Sequence, residues 1–166
     1  MDIQHNTPLD ELQFLTFSNL IEEEDSFEAL EDAHQAWIMA KELLTPDGDP
    51  IRSMEIKAIH AVLMRRLNPR IAGQFRPFSV RVGNYIAPSH VAVGNLLADL
   101  CQREPKTEEE IKQWHIDFEK IHPFEDGNGR TGRIIYNAQR LQNGLPIHII
   151  RPGLDQRKYY AWFFNN

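Results

Sequence analysis

Residues 122–133 read HPFEDGNGRTGR, and this stretch determines how the neighbouring segments of the chain are arranged. It lies between two segments whose apolar residues recur at helical spacing, so it is predicted to be a loop that joins two helices. Its Gly-Asn-Gly turn permits positive φ and close approach of the backbone, so that successive N–H groups can converge on an anion. The helix that follows adds its positive N-terminal end. The stretch therefore predicts an anion-binding site at the start of a helix.

Charged and titratable side chains in the same stretch complete this predicted site. Arg130 and Arg133 are three residues apart, so their guanidinium groups project from one helix face and can hold separate phosphoryl groups. Asp126 is the natural ligand for Mg²⁺, which proteins usually hold with one or two carboxylates and phosphate oxygens. His122, with an ordinary pKa of about 6.5, is the candidate general base. These residue types predict chemistry at phosphorus.

Other residues in and near the motif are not assigned to the predicted site. We expect Glu125 to face solvent and Phe124 to anchor the loop on the core. A zinc site built from His115 and His122 is rejected, because zinc needs three or four converging ligands and no other His/Cys cluster supports it. The remaining histidines have no neighbouring residues in the sequence that would indicate a metal site or a catalytic role: His34, His60, His90 and His148.

The composition is that of one soluble globular domain. The chain has 166 residues, which suffice for a substantial core. Its net charge of −6 provides no overall basic field for nucleic acid or an anionic membrane. The single cysteine, Cys101, excludes an internal disulfide, and no signal peptide or apolar run long enough for a membrane span is present in the sequence. We therefore expect a cytoplasmic protein without nucleic-acid or membrane partners.

Helical periodicity dominates the rest of the chain. A short helix is predicted through Leu9, Leu12 and Leu15, followed by a second short, acidic segment at residues 18–24. Further helical stripes begin near residues 27, 53, 89, 107, 128 and 155. The convincing β signal is the alternation of apolar residues with other residues on both sides of Gly83-Asn84, a dipeptide suited to a two-residue hairpin turn. The sequence predicts a mainly α, single-domain protein with one β-hairpin.

The motif at 122–133 has the form H-x-F-x-[D/E]-G-N-G-R-x-x-R, and on these residues the chain resembles the Fic family. The likeness extends to residues 73–83, which resemble the family's G-x-[YF]-R motif and the hairpin flap that follows it. It implies a Fic-type helical bundle, with an N-terminal segment at 1–25 and the catalytic core at 26–166. It also implies that the flap holds a target segment as an added strand, through Val80, Arg81 and Val82.

The resemblance implies AMP transfer from ATP to a Ser, Thr or Tyr hydroxyl of a target protein. His122 would deprotonate the hydroxyl, whose oxygen attacks the α-phosphorus while pyrophosphate leaves. Asp126 would hold Mg²⁺, and Tyr160, from a tyrosine pair similar to one in the family's late helix, would line the nucleobase pocket. The phosphate contacts would come from Gly127, Asn128, Gly129, Arg130 and Arg133.

A second resemblance concerns control of this activity. Many Fic proteins carry an inhibitory helix with the pattern [S/T]-x-x-x-E-[G/N], which Ser18 and Glu22 match and Glu23 does not. The likeness implies that Glu22 pairs with Arg133 and keeps the γ-phosphate of ATP from binding productively. The alternative is that Glu22 belongs to a solvated acidic run at residues 22–25, because blocks of like charge are usually exposed.

Three other functions stay open at this point. The same fold can transfer another phosphoryl-containing group, or remove AMP, with Glu22 positioning a water molecule. A non-catalytic binding module of the toxin or antitoxin type is the alternative from a different class, although the complete motif favours an enzyme. The target protein and the oligomeric state, a homo-oligomer included, cannot be read from the sequence.

Overall fold

The computed structural model describes residues 6–164, which form a helical bundle with one short hairpin. The helices are α1 Pro8–Ile21, α2 Phe27–Leu43, α3 Ser53–Met64, α4 Val93–Cys101, α5 Glu108–Ile121, α6 Asn128–Gln142 and α7 Leu154–Phe164. A 3₁₀ turn, His90–Ala92, precedes α4. The predicted mainly α fold is confirmed. Within the described residues, no helix is long and apolar enough to cross a membrane.

The hairpin consists of strands β1 Arg81–Val82 and β2 Tyr85–Ile86, which pair antiparallel with Arg81 opposite Ile86. Gly83 adopts a positive φ of 57° in the two-residue turn, as the Gly-Asn dipeptide predicts. Val80, which the sequence assigned to the flap, lies just outside the strand. Its carbonyl still accepts a hydrogen bond from the Ala87 N–H at 3.2 Å, so it closes the base of the hairpin.

Local capping explains where several helices begin. Thr7 accepts a hydrogen bond from the Asp10 N–H, and the Asp10 carboxylate accepts one from the Thr7 N–H. Thr107 and Glu110 form the same reciprocal pair at the start of α5. Ser26 caps α2 through its hydroxyl. Each cap satisfies a backbone N–H group that has no acceptor within its own helix.

The N-terminal segment differs from the prediction. One continuous helix, α1, runs from Pro8 to Ile21 instead of two short segments. Its buried face carries Phe14, Leu15 and Ser18, whereas Leu9 and Leu12 are exposed. The leucine spacing therefore identified a helix but not its buried face. Because the helix continues through Ser18, this residue faces the centre of the bundle at the point where α1 ends.

Helix α6 is the central element of the bundle and contacts α1, α2, α3 and α5. Trp37, Ile59, Trp114 and Phe118 are fully buried in the core around it. Residues on nearly every face of α6 are buried, including polar ones: Asn128, Arg130, Thr131, Arg133, Asn137, Gln139 and Arg140. Burying charged groups is unfavourable unless they are paired or bind a ligand. The start of α6 is therefore the place where a functional site is expected.

Candidate active site

His122 lies at the end of α5 and faces a cavity of about 630 Å³. It is the C-cap of the helix and has a left-handed φ of 50°, a conformation that is uncommon for a residue other than glycine. The cavity is also lined by Glu22, Gly129, Arg133, Val82 and Tyr160. The structure thus brings the predicted base, the start of α6, the end of α1 and the hairpin to one opening.

The surroundings of His122 keep its imidazole neutral. Burial lowers the pKa of His122 below its ordinary value, and although the Glu119 carbonyl opposes this effect, the positive charge of Arg76 adds to it. A neutral imidazole can accept a proton near pH 7, as a general base must.

The loop between His122 and α6 is closed by Asn128. Its Oδ1 accepts a hydrogen bond from the Phe124 N–H, and its Nδ2 donates one to the Phe124 carbonyl, both at 2.9 Å. The Asn128 side chain is therefore engaged within the loop, and its backbone N–H is what could contact a phosphate. Gly127 caps α6 with a φ of 77°, and a Cβ there would lie 2.8 Å from Met64 Sδ. Glycine is required at this position for both reasons.

An anion fits the first turn of α6. The N–H groups of Asn128, Gly129 and Arg130 fall in this turn, where a helix provides no acceptors of its own. Arg130 is 4% exposed, and its Nε and Nη1 atoms are buried without a hydrogen-bond partner among residues 6–164. Unsatisfied buried donors are destabilising, and a phosphate group at the helix start would provide them with acceptors.

Asp126 immediately precedes Gly127, the N-cap of α6. Its side chain is 64% exposed, and Oδ1 lies 3.6 Å from Arg130 Nη2 and accepts the Gly127 N–H at 2.6 Å. The part of the chain that the structure describes contains no group of three or more His, Cys, Asp or Glu side chains that could hold a metal. A divalent ion here would take most of its ligands from phosphate and water, which is how Mg²⁺ is commonly bound. The residues present therefore fit a Mg²⁺ ion that binds together with a polyphosphate.

Glu125 corrects an expectation. The sequence assigned it to solvent, but it is only partly exposed and forms an ion pair with Arg70 at 2.6 Å. Arg70 follows α3, so this pair ties the motif loop to the preceding helix–loop segment. The partner was not foreseen because 55 residues separate the two side chains along the chain.

Arg133 is held by the end of α1. Its Nε donates to Ser18 Oγ at 2.9 Å, and its Nη2 donates to the Ser18 carbonyl at 3.0 Å and to Glu22 Oε1 at 2.7 Å. Arg133 is 2% exposed, whereas the Glu22 side chain is 35% exposed. A Cβ on Gly129 would collide with Glu22 Oε1, so glycine at 129 leaves the space that the carboxylate fills. The structure thus brings Ser18, Glu22 and Arg133 together.

Helix α7 divides the tyrosine pair between two environments. Tyr160 is 37% exposed at the edge of the cavity, as expected for a residue that could contact a nucleobase. Tyr159 is buried instead, with its hydroxyl 3.5 Å from Arg133 Nη1 and 2.8 Å from His115 Nε2. Burial lowers the pKa of His115 to about 3, so its ring is neutral and shares a hydrogen bond with the Tyr159 hydroxyl. Sequence reasoning identified the pair but not the contact of Tyr159 with Arg133.

His60 packs against the motif loop and forms a hydrogen bond to it, although its sequence context did not indicate this role. Its Nδ1 accepts the Gly73 N–H and its Nε2 donates to the Asp126 carbonyl, both at 2.9 Å. The ring also stacks on Phe124, with 3.7 Å between the ring centroids. These partners require the neutral ring with a proton on Nε2. Burial accordingly lowers the pKa of His60 to about 4.

Glu119 is a further cavity residue that the sequence did not single out. It lies one turn before His122 on α5, and its Oε1 is buried. Burial raises the pKa of Glu119 to about 7, with the Arg133 charge opposing this shift and Glu22 adding to it. A carboxyl group that is partly protonated at pH 7 makes the cavity less negative than the sequence suggests, which favours a polyphosphate ligand.

The comparisons with known proteins agree with this geometry. The sequence pattern of the Fic/DOC family matches residues 50–139, more than half of the chain. The chain belongs to the Fic/DOC family. The match includes the α3 residue His60, the hairpin and the whole motif at 122–133. Family membership, which the resemblance of the motif predicted, is confirmed.

Several curated Fic proteins are similar to this chain. Protein adenylyltransferase Fic of Nematostella vectensis is 31% identical over 142 residues, which cover 81% of this chain and 31% of that protein. Protein adenylyltransferase fic-1 of Caenorhabditis elegans is 31% identical over 126 residues, which cover 72% of this chain and 25% of that protein. This chain therefore spans less than a third of the length of these relatives.

Solved Fic structures share the fold. A Fic-domain-containing signalling protein from Bacteroides thetaiotaomicron aligns with a TM-score of 0.79 at 21% identity, over 96% of this chain and 75% of that one. Fic-1 from Caenorhabditis elegans aligns with a TM-score of 0.82 at 18% identity, over 99% of this chain and 60% of that one. At these identities the likeness establishes a common Fic fold.

Proposed function

We propose that this Fic/DOC chain is a protein adenylyltransferase, which transfers AMP from ATP to a Ser, Thr or Tyr hydroxyl of a target protein. The observation that carries the proposal is that His122, whose pKa is lowered, shares one cavity with Gly129 at the start of α6, next to the unsatisfied donors of Arg130. The names of the curated relatives, which are protein adenylyltransferases, support the same reaction.

In the proposed reaction, His122 accepts the proton of the target hydroxyl. The hydroxyl oxygen forms a bond to the α-phosphorus of ATP, and the bond from this phosphorus to the bridging oxygen of pyrophosphate breaks. The first-turn N–H groups of Asn128, Gly129 and Arg130 and the side chain of Arg130 stabilise charge on the phosphate oxygens. Catalysis of this kind depends mainly on positioning and on preorganised donors.

Asp126 is the residue proposed to hold Mg²⁺ with the phosphates of ATP. When bound, the ion would neutralise phosphate charge. Tyr160 is proposed to contact the adenine ring from the rim of the cavity. The apolar side chains of the hairpin, Val82 and Tyr85, line the same cavity and support a role for the flap, including Val80 and Arg81, in holding the target segment.

The N-terminal segment, residues 1–25, is proposed to inhibit the catalytic core at 26–166. Productive ATP binding needs Arg133 to neutralise the far end of the triphosphate, and Glu22 already occupies this guanidinium at 2.7 Å. A carboxylate at this point also repels the γ-phosphate. The Glu22 carboxylate is bound to the buried guanidinium of Arg133. This pairing supports inhibition more than the alternative in which Glu22 belongs to a solvated acidic run.

A single experiment tests the reaction. The wild-type chain, Glu22→Gly and Glu22→Gly/His122→Ala are incubated with ATP and Mg²⁺, and the intact mass of each is measured. We expect a mass increase of one AMP group in Glu22→Gly and none in the double variant, which still binds ATP by calorimetry. ATP binding without any AMP transfer by Glu22→Gly, either to itself or to proteins of an added cell extract, would refute the transferase and support a binding module.

Removal of AMP is the second candidate, because Glu22 and His122 line the same cavity and could hold a water molecule between them. Incubating the wild-type chain with the AMP-modified form of Glu22→Gly tests this reaction. Release of AMP that depends on Glu22 would favour it over transfer.

A further inference from the structure

Arg76 is a buried arginine outside the group of residues assigned to ATP. It is 2% exposed, and all of its side-chain hydrogen bonds go to backbone carbonyls. Nε donates to the His122 carbonyl at 2.7 Å, and Nη2 donates to the Ile121 carbonyl at 3.3 Å. These two carbonyls belong to the last turn of α5, where a helix leaves acceptors unsatisfied and carries partial negative charge. Arg76 therefore caps α5 at the residue proposed to be the base.

The same guanidinium also holds both ends of the flap. Nη1 donates to the Phe78 carbonyl at 2.8 Å, before β1, and Nη2 donates to the Pro88 carbonyl at 2.6 Å, after β2. One side chain thus connects the two points where the hairpin leaves the body of the protein with the loop that carries His122.

The backbone around Arg76 strengthens this connection. The Arg76 N–H donates to the Pro123 carbonyl at 3.0 Å, and Phe75 forms an isolated β-bridge with Phe124. Residues 75–76 therefore run alongside the beginning of the catalytic motif. Every one of these contacts is lost or loosened if residue 76 moves.

A buried charge that is satisfied only by neutral carbonyls is not an efficient way to stabilise a fold. Burial indeed lowers the pKa of Arg76. What the guanidinium provides is geometry, since its rigid, planar fork reaches four carbonyls in three separate segments at once. A lysine ammonium, a single point charge with three donors, cannot span the same positions.

We infer that Arg76 is a positioning residue that holds the flap and the His122 imidazole as one unit, so that a target segment bound on the flap delivers its hydroxyl to the base. This inference rests on the proposed function, which it deepens by specifying how target binding and proton transfer are linked. Arg76 acts through the backbone of His122 and the flap and contacts neither ATP nor the reacting atoms.

The test compares Glu22→Gly with Glu22→Gly/Arg76→Lys. We expect kcat for AMP transfer to fall on the order of 10²-fold, as for a displacement of about 1 Å in a reacting group. The KM for ATP should be unchanged, because the ATP-binding residues are not among the partners of Arg76. Hydrogen exchange should become faster at the Ala87 amide, whose bond to Val80 closes the flap.

Arg66→Lys provides the matched control in the same background. Arg66 also donates four hydrogen bonds, to Asp32, Glu31 and the Glu28 carbonyl, but it follows α3, bonds only to residues of α2 and does not line the cavity. This variant should lose stability while kcat, the KM for ATP and flap exchange stay the same. Unchanged kcat and flap exchange in Arg76→Lys would overturn the inference and leave Arg76 with a role in stability only.

The outcome separates this inference from the proposed function. If Glu22→Gly transfers no AMP, the proposed function fails, and exchange at the flap together with the NMR signals of the His122 imidazole still tests the coupling. Both should change in Arg76→Lys and neither in Arg66→Lys; the opposite result overturns the coupling. Should Arg76→Lys not fold, Arg76→Gln, whose amide keeps two donors, is measured in the same way.

Discussion

Replacing Glu22 by glycine tests the proposed inhibition of the site most directly. The bond between Arg133 Nη2 and Glu22 Oε1 joins two charged groups at 2.7 Å, one of them buried. Hydrogen bonds of this kind contribute about 1.5–3 kcal/mol, and we take about 2 kcal/mol because the Glu22 side chain reaches solvent. At about 1.4 kcal/mol for each factor of ten, Glu22→Gly should raise the rate of AMP transfer roughly 30-fold.

The guanidinium should stay in place in this variant, since Ser18 still accepts two of its hydrogen bonds. Incorporation of labelled AMP at subsaturating ATP measures the effect, with Glu23→Gly as the matched control. Glu23 is the adjacent acid and has a φ of 58°, so glycine removes a charge there without strain. A rise below about threefold, or an equal rise in Glu23→Gly, would refute the argument that Glu22 competes with ATP for Arg133.

Three further predictions concern pH and packing. Because the pKa of His122 is lowered, kcat/KM of Glu22→Gly should fall in acid with a midpoint below pH 6.5, and a midpoint above that value would contradict a neutral base. His115 has a pKa of about 3 when folded and 6.5 in the unfolded chain, so the stability it contributes is complete above pH 6.5 and lost as the pH falls. Between pH 7 and pH 5, the free energy of unfolding measured in urea should fall by about 2 kcal/mol less in His115→Phe than in the unchanged chain. Equal decreases in the two proteins would exclude His115 as the source. Gly132→Ala should lower the free energy of unfolding by about 1–3 kcal/mol, because its Cβ would collide with α5 side chains. Gly94→Ala should not, because its Cβ would make only an ordinary van der Waals contact with Phe75 at 4.0 Å; thermal unfolding compares the two variants.

Features set by neighbouring residues could be predicted from the sequence. The caps at Thr7 and Thr107 and the turn at Gly83 depend on contacts within a few residues, and each is present in the structure. The positive φ of Gly127 and the helix start at Asn128, on which the predicted anion site depends, belong to the same class. The buried face of α1 was missed because it depends on which helices pack against it, and leucine spacing carries no information about them.

Contacts between distant parts of the chain explain the other omissions. His60 reaches a carbonyl 66 residues away, and Arg76 reaches one 46 residues away. No local pattern distinguishes His60 from an ordinary buried side chain. The resemblance to the G-x-[YF]-R motif includes Arg76 but gives none of its hydrogen-bond partners. The contact of Glu22 with Arg133 spans 111 residues, and it was expected only because the resemblance to Fic proteins implied it.

The way α1 ends has a consequence for the speed of the proposed control. Phe14 and Leu15 anchor α1 in the main core, and Ser18 binds Arg133 through both its hydroxyl and its carbonyl. Freeing the guanidinium from Glu22 therefore requires rotation of one partly exposed side chain and leaves the helix docked. Side-chain rotations take picoseconds to nanoseconds, whereas undocking a helix belongs to far slower motions. Exchange between the inhibited and the free arrangement would then be rapid compared with a catalytic cycle, and the concentration of ATP would set the fraction of active molecules at every moment.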